Sequence, residues 1–430
     1  MTKTAIISVD GHAKASRRQY RDYVDPGYRD LYDQQVRAAE EAGLPDTGNL
    51  NPDFAPEVQW DSDARTAALE QIGVVAEILF SNGQPFQINR LDDFAMAADQ
   101  GLAEAGRTAY NRWLADFCAE SPGRRSGQMQ LDLENVEQSV ADVHWAKEHG
   151  LGGVALPAIN GGGRFYFDPA LDPVWAACEE TGLVVSQHGA LLMDPEGPPG
   201  GWGFAGQPSG FGALMLITAE NAFFSNRSLW MLIAGGVFDR FPALKAAWIE
   251  TTVYYLAPTL KYLERVLDSG SMSDWGIEST MKERPTDYFG RNLFIGLSPF
   301  GPGQDSEGTV LGRDRDGGTL PGFRMGIESL MYGVDFPHFE TCYQRNWGEV
   351  ASLVTAPIVN DSESEGVLFG TAADVYGFDR AALQPHVERV GFDLEDIRRR
   401  ADELKADMPE MNTSNITGGE RPHFGTRVNA

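Results

Sequence analysis

Residue types that bind divalent metals stand at the ends of short apolar segments of this chain. Asp10 and His12 end the first segment, His188 ends a later one, and Asp335 ends the last. Residues two apart in an extended strand point to the same side, so Asp10 and His12 can bind one ion together. Imidazole nitrogen and carboxylate oxygen together suit Zn²⁺, Mn²⁺ or Fe²⁺. The sequence therefore predicts one divalent ion, preferably zinc, held by these four residues.

The segments that carry these residues alternate with longer segments of helical character. Strands are predicted over 4–10, 74–81, 127–132, 153–157, 183–188, 244–250, 292–298 and 329–335. Amphipathic helices are predicted over 106–120, 136–149, 172–182 and 257–268. This alternation indicates a parallel sheet, and eight strands favour a closed (β/α)₈ TIM barrel with long βα-loop insertions. The active site of such a barrel lies at the carboxyl ends of the strands, where the four predicted ligands stand.

An open dinucleotide-binding sheet is the alternative architecture for alternating strands and helices. It would need a glycine-rich turn after the first strand to hold phosphate groups, and Asp10-Gly11-His12 is not such a turn. A single-domain barrel is predicted over residues 1–380, followed by a C-terminal helix and a loosely ordered tail over 381–430.

Composition limits the partners of the chain. The net charge of −27 argues against nucleic acid and anionic lipid surfaces, because both would repel an acidic protein. No stretch approaches the roughly 20 apolar residues of a membrane span. The first apolar segment is too short for a signal peptide, and three widely separated cysteines do not suggest a disulfide framework. We expect a cytoplasmic homodimer or higher homo-oligomer that acts on a small molecule.

Several motifs in this chain resemble those of the amidohydrolase superfamily. The resemblance is to the amidohydrolase-related branch, which includes aminocarboxymuconate-semialdehyde decarboxylase and the resorcylate-type aromatic acid decarboxylases. It extends over about residues 4–380, and the stretch Gly-Val-Phe-Asp-Arg-Phe-Pro before a strand is its most specific part. The motifs lie at residues 110–114, 152–157, 235–242, 244–250, 332–338 and 368–373.

The resemblance implies a metal-dependent enzyme with one ion. Asp10, His12, His188 and Asp335 match the mononuclear ligand set, and the fourth strand has no lysine that could bridge two metals. The implied reaction is decarboxylation or hydrolysis of a small apolar or aromatic acid, amide or lactone. At strand six the decarboxylases carry a histidine, whereas this chain has Glu250. That departure favours hydrolysis, while the rest of the resemblance favours a carboxy-lyase, so both reactions stay open.

Further residues are candidates for the site itself. Asp335 is the predicted proton shuttle, assisted by Glu250 or His338. Arg164 lies in a glycine-rich loop and could bind a substrate carboxylate. The long segment from Ala190 to Leu229 follows His188 directly and is rich in aromatic residues. We expect it to cap the barrel mouth and to contact substrate through Trp202 and Phe204.

Two other function classes are weighed against a metal-dependent enzyme. A metal-free binding or scaffold protein could retain the barrel, but such a protein has no reason to keep four metal-binding residues at strand ends. A serine hydrolase would show a Gly-x-Ser-x-Gly motif, which this sequence lacks. Metal analysis of the purified protein would separate the scaffold from the enzyme.

Overall fold

The strands form one parallel sheet. The computed structural model describes residues 3–47, 50–86, 100–157, 165–189, 225–251, 256–269, 281–298, 326–338, 341–356 and 359–408. The strands are β1 (Ile6–Ser8), β2 (His12–Ala13), β3 (Val74–Ser81), β4 (Arg125–Gln130), β5 (Gly153–Ala155), β6 (Val184–His188), β7 (Ala246–Ile249), β8 (Leu293–Leu297) and β9 (Leu330–Tyr332). Eight of them follow the order β1-β3-β4-β5-β6-β7-β8-β9, and the short β2 pairs with β3. All eight predicted strands are present, and β2 is the one that the pattern did not predict.

Helices follow most of the strands and cover the outside of the sheet. The helices are α1 (Arg17–Tyr23), α2 (Arg29–Glu41), α3 (Ser62–Glu70), α4 (Gln100–Ala119), α5 (Val136–Glu148), α6 (Asp172–Thr181), α7 (225–234), α8 (Val237–Arg240), α9 (Leu256–Asp268), α10 (Tyr343–Val354), α11 (Asp361–Glu365), α12 (Thr371–Tyr376), α13 (Arg380–Val390), α14 (Leu394–Arg399) and α15 (Ala401–Ala406). The four predicted helices correspond to α4, α5, α6 and α9, and α4 starts six residues earlier than predicted. A π-helical turn at Gly366–Gly370 joins α11 to α12.

Hydrogen bonds between the first and last strand segments close the sheet into a barrel. The Val9 amide donates to the Tyr332 carbonyl at 3.0 Å, and the Asp335 amide donates to the Asp10 carbonyl at 3.0 Å. The His12 amide donates to the Phe336 carbonyl at 2.6 Å. The predicted (β/α)₈ barrel is therefore confirmed. The same bonds hold the segments of Asp10, His12 and Asp335 side by side.

Alternate residues of the strands belong to two separate apolar clusters. Ile6, Val185 and Ile295 pack in the larger cluster, which includes the helices, whereas Ile7 and Val184 pack in the smaller one. This period of two is what parallel strands buried on both faces require. Apolar packing on both sides therefore fixes the strands, and polar side chains gather at their carboxyl ends.

The C-terminal helices pack at the opposite end of the barrel from the predicted ligands. The Thr4 amide donates to the Phe392 carbonyl at 2.9 Å, and the Phe392 amide donates to the Thr4 carbonyl at 2.8 Å. Arg389 in α13 pairs with Glu70 at the end of α3. The boundary at residue 380 stays a prediction, and the tail beyond 408 lies outside the described residues.

One carboxyl group is buried in the helical layer beside β9. Glu349 in α10 is 8% exposed, and its Oε2 lies 3.5 Å from the Tyr332 hydroxyl. Burial raises the pKa of Glu349 from its ordinary value of 4.5 to about 8, although Arg345 opposes the shift. The folded chain therefore keeps a proton on Glu349 in a pH range where the unfolded chain has lost it.

We expect the Glu349→Gln variant to change how stability depends on pH. Because the folded pKa is the higher one, the wild-type chain loses stability relative to the variant as pH rises from about 4.5 to about 8. Above pH 8 the difference between the two should stay constant. Urea unfolding at a series of pH values measures it, and parallel pH profiles would contradict the assignment.

Candidate metal centre

The four predicted ligands come from three places around the barrel mouth. Asp10 follows β1, and His12 begins β2 two residues later. His188 is the last residue of β6, and Asp335 lies three residues after β9. All four are buried, with exposed fractions of 5% or less. Residues far apart in the chain thus meet because each one stands where a parallel strand ends.

The ligand atoms of these residues converge within hydrogen-bond distance. His12 Nε2 lies 3.1 Å from His188 Nε2 and 3.3 Å from Asp10 Oδ1. It also lies 3.4 Å from Asp335 Oδ1. His188 Nε2 is 3.2 Å from the same Asp10 oxygen. His12 Nε2 therefore lies within 3.4 Å of an atom of each of the other three residues.

The tautomer of His12 follows from its second ring nitrogen. His12 Nδ1 lies 2.9 Å from the Ser81 carbonyl oxygen, which can only accept a hydrogen bond. The neutral ring therefore carries its proton on Nδ1 and presents a lone pair at Nε2, as a metal ligand does. The His338 ring stacks on the His12 ring with 3.9 Å between centroids and fixes the ring plane.

The electrostatics of the cluster favour a bound cation. Burial alone would raise the pKa of Asp10, but His188 and His12 hold it well below its usual range. Asp10 Oδ2 and Asp335 Oδ2 are buried and have no hydrogen-bond partner among the described residues. Such oxygens are costly to leave unpaired, and a divalent ion would satisfy them. Two imidazole nitrogens and two carboxylates therefore fit the predicted ion.

His338 contacts the same Asp335 oxygen as His12 does, and a chain of hydrogen bonds through Asn82 and Gln59 holds the His338 ring in place. His338 Nδ1 lies 2.9 Å from Asp335 Oδ1, and His338 Nε2 lies 3.1 Å from Asn82 Oδ1. The Asn82 amide donates to Gln59 Oε1 at 2.6 Å, and the Gln59 amide donates to the Thr47 carbonyl at 2.6 Å. This order leaves Asn82 Oδ1 to accept from His338 Nε2, so Nδ1 of the neutral ring faces Asp335.

Glu250 lies at the same rim. It directly follows β7, and its Oε2 is 3.4 Å from His188 Nε2 with the side chain 25% exposed. Glu250 and Asp335 both have a φ of +56°, a conformation that costs a residue with a side chain about 1 kcal/mol or more. A β-carbon at Gly189 would lie 2.6 Å from the Glu250 carbonyl oxygen, so glycine is required there. Strained backbone at two carboxylates of one rim is typical of a functional site.

Other candidates lie elsewhere or outside the described residues. Arg164, Trp202 and Phe204 lie outside them, as does the segment 190–224 that carries most of the predicted cap. His149 ends α5 away from the site and stacks on Trp145. Substrate contacts by Arg164, Trp202 and Phe204 stay predictions.

Sequence reasoning missed a buried ion-pair cluster beside His12. Arg65 in α3 and Arg125 in β4 flank the carboxylate of Glu77 in β3, with N–O distances of 2.7 Å and 3.4 Å. A signal was present, because Glu77 interrupts the apolar strand Val-Val-Ala-Glu-Ile-Leu-Phe. A charge inside a strand buried on both faces requires a partner.

Two sequence comparisons relate this chain to known proteins. The amidohydrolase family profile matches residues 87–249. A curated relative, 2-amino-3-carboxymuconate-6-semialdehyde decarboxylase from Dictyostelium discoideum, is 26% identical over 190 residues. Its match covers 44% of this chain and 47% of the relative, so the chain matches about half the length of that protein.

Solved structures share the fold over most of the chain. An amidohydrolase from Mycobacterium avium subsp. paratuberculosis has a TM-score of 0.60 at 17% identity and covers 88% of this chain and 99% of its own. The 5-carboxyvanillate decarboxylase of Novosphingobium aromaticivorans, with bound manganese, has a TM-score of 0.57 at 18% identity and covers 87% and 97%. The resemblance to the amidohydrolase superfamily is confirmed.

A third structural neighbour is the dihydroxybenzoic acid decarboxylase of Polaromonas sp. JS666, solved with manganese and 2-nitroresorcinol. Its TM-score is 0.53 at 16% identity, and the match covers 88% of this chain and 99% of the neighbour. Separately, none of the helices in the described ranges combines the length and apolar character of a membrane span.

We expect the purified protein to hold one divalent ion per chain. The His188→Ala variant should lose the ion, because it removes one of the two imidazole nitrogens that meet at 3.1 Å. His149→Ala, which alters a histidine outside the site, is the matched control and should keep it. Elemental analysis after gentle purification measures both. Two ions per wild-type chain, or none after addition of Mn²⁺ or Zn²⁺, would contradict a mononuclear centre.

Proposed function

We propose that this protein is a metal-dependent carboxy-lyase that removes carbon dioxide from a small aromatic carboxylic acid. The observation that carries the proposal is the buried cluster around His12, whose Nε2 lies within 3.4 Å of atoms of Asp10, His188 and Asp335, with carboxylate oxygens left unpaired. The similarity to decarboxylases in sequence and fold supports the reaction class. A metal-free scaffold protein would bear the cost of burying these unpaired carboxylate oxygens without a cation to offset it.

The four ligands would hold one ion, and the choice among Zn²⁺, Mn²⁺ and Fe²⁺ belongs to the proposal. Manganese in two neighbouring structures makes Mn²⁺ as strong a candidate as the zinc that the sequence favours. When bound, the ion supplies a Lewis acid that polarises substrate oxygens and lowers the pKa of water. The remaining steps depend on side chains of this chain.

Asp335 would deliver the proton that decarboxylation consumes. In the overall reaction the bond between the ring carbon and the carboxylate breaks, carbon dioxide leaves, and the ring carbon takes up a proton. His338 Nδ1 faces Asp335 Oδ1 at 2.9 Å, so a proton can be held between these two atoms. Asn82 fixes the His338 ring through Nε2, which makes His338 a positioning residue for Asp335.

Hydrolysis is the second candidate reaction, and Glu250 is the observation that favours it. Glu250 stands where the resemblance implies a histidine, and its carboxylate reaches to 3.4 Å from His188 Nε2. A partly exposed carboxylate beside the ligands could take a proton from attacking water, and Asp335 could then protonate the leaving group. Amides and lactones are the substrates that this reaction would accept.

Protein loaded with Mn²⁺ or Zn²⁺ should release carbon dioxide from at least one acid of an aromatic panel. The panel includes 2,6-dihydroxybenzoate and 5-carboxyvanillate, together with aromatic amides and lactones. A coupled bicarbonate assay measures decarboxylation, and chromatography of the products detects hydrolysis. Ring opening of lactones without carbon dioxide release would support the second candidate. Turnover that survives complete metal removal would contradict both.

The Asp335→Asn variant tests the proton-delivery role on whichever substrate the panel gives. The variant should melt within a few degrees of the wild type, because residues at this rim serve chemistry more than folding. Its turnover should fall by about 10²-fold or more, the low end for a lost acid or base group. Asp374→Asn, an exposed carboxylate with 72% of its side chain accessible, is the control. Wild-type turnover in Asp335→Asn would remove Asp335 from the mechanism.

A further inference from the structure

A fully buried arginine lies directly behind the metal ligand His12. Arg65 stands one turn into α3, whose first amides are capped by the Asp61 carboxylate. Its exposed fraction is 0%. One terminal nitrogen, Nη1, donates to the His12 carbonyl at 2.8 Å and to the Val58 carbonyl at 3.1 Å. The guanidinium therefore holds the backbone of a predicted ligand.

The other face of this guanidinium is aimed by Glu77. Arg65 Nε donates to Glu77 Oε1 at 2.8 Å, and Nη2 donates to Oε2 at 2.7 Å, which is a two-bond pair of fixed geometry. Glu77 lies in β3 and is 2% exposed. Buried ion pairs are often no more stabilising than apolar packing of equal volume. The contribution of this pair therefore lies in the groups that it orients and not in added stability.

That geometry includes the segments on both sides of the closure. The Arg65 guanidinium lies 4.9 Å from the centre of the Phe336 ring. Phe336 directly follows Asp335, and its carbonyl accepts a hydrogen bond from the His12 amide. One buried cation thus contacts the segment of Asp10 and His12 and also the segment of Asp335. None of the site roles assigned above involves Arg65.

The glycine between Asp10 and His12 fits closely against the same ion pair. A β-carbon at position 11 would lie 3.1 Å from Glu77 Oε2 and 3.3 Å from Arg65 Nη2. Such contacts are tighter than ordinary packing, so any larger residue would push the pair or the two ligands apart. The backbone of the ligand motif and the ion pair therefore fit together as one unit.

We propose that Arg65, aimed by Glu77, is a positioning residue that sets the metal affinity of the centre by fixing His12 and Phe336. The inference rests on the proposed metal-dependent function. It assigns the buried pair to ligand geometry and not to general stability. Side chains that orient metal-binding residues typically contribute 10- to 100-fold to metal affinity.

The test compares Arg65→Lys with Arg125→Lys. Both arginines pair with Glu77, but Arg125 donates to the Phe117 and Ser62 carbonyls and not to His12. Lysine keeps the charge but cannot bond the carboxylate and a carbonyl with one planar group. We expect Arg65→Lys to raise the Kd for Mn²⁺ by about 10- to 100-fold and Arg125→Lys to change it by less than about 3-fold. Titration calorimetry measures the Kd, and melting temperatures record the stability of each variant.

Cobalt provides a readout of ligand geometry that a general loss of stability would not move. At saturating Co²⁺, the visible absorption bands of Arg65→Lys should shift relative to the wild type, and those of Arg125→Lys should not. If Arg65→Lys yields no folded protein, Glu77→Gln replaces it, since a neutral amide cannot keep the two-bond pair. That variant should weaken metal binding more than Arg125→Lys does.

The outcomes separate this inference from the proposed function. A wild-type protein that binds no divalent ion would contradict the proposed function itself. Wild-type binding with an unchanged Kd in Arg65→Lys, or in Glu77→Gln where that variant is used, would overturn the inference alone. Equal weakening in Arg65→Lys and Arg125→Lys would also overturn it, because the effect would then belong to the buried cluster as a whole.

Discussion

Four buried side chains that offer hydrogen-bond acceptors crowd together at the barrel mouth. The Nε2 atoms of His12 and His188 lie 3.1 Å apart beside two buried carboxylates, an arrangement that a cation stabilises and empty space does not. Barrel closure brings the segment of Asp335 against that of Asp10, and the Asp335 amide donates a hydrogen bond to the Asp10 carbonyl. Because apolar side chains pack the strands tightly, these polar atoms cannot move out into solvent.

Much of this arrangement could be predicted from the sequence because parallel strands impose it. Apolar segments bounded by Asp10, His188 and Asp335 are visible as patterns, and the carboxyl ends of such strands must meet in a barrel. The period of two predicts that Asp10 and His12 share a side. The predicted ligand set therefore rests on strand ends, residue types and the family resemblance, even though the chain separates its members by up to 325 residues.

Other features could not be predicted because they depend on contacts between distant side chains. The partner that Glu77 requires could be inferred, but not its identity, since Arg65 lies on a helix and Arg125 on the next strand. The orientation of His338 depends on Asn82 and Gln59, which show no pattern in the sequence. The positive φ of Glu250 and Asp335 is likewise a property of the folded chain, which has to supply the energy of that strain.

We expect one ion to bind beside His12 Nε2, held by Asp10, His12, His188 and Asp335. A crystal structure of the protein grown with Mn²⁺, with diffraction data collected at the manganese absorption edge, would locate this ion. We expect one anomalous peak per chain, about 2.0–2.2 Å from His12 Nε2, His188 Nε2 and the carboxylates of Asp10 and Asp335. Two peaks in this cluster, or a peak only at surface carboxylates, would contradict a mononuclear centre formed by these four residues.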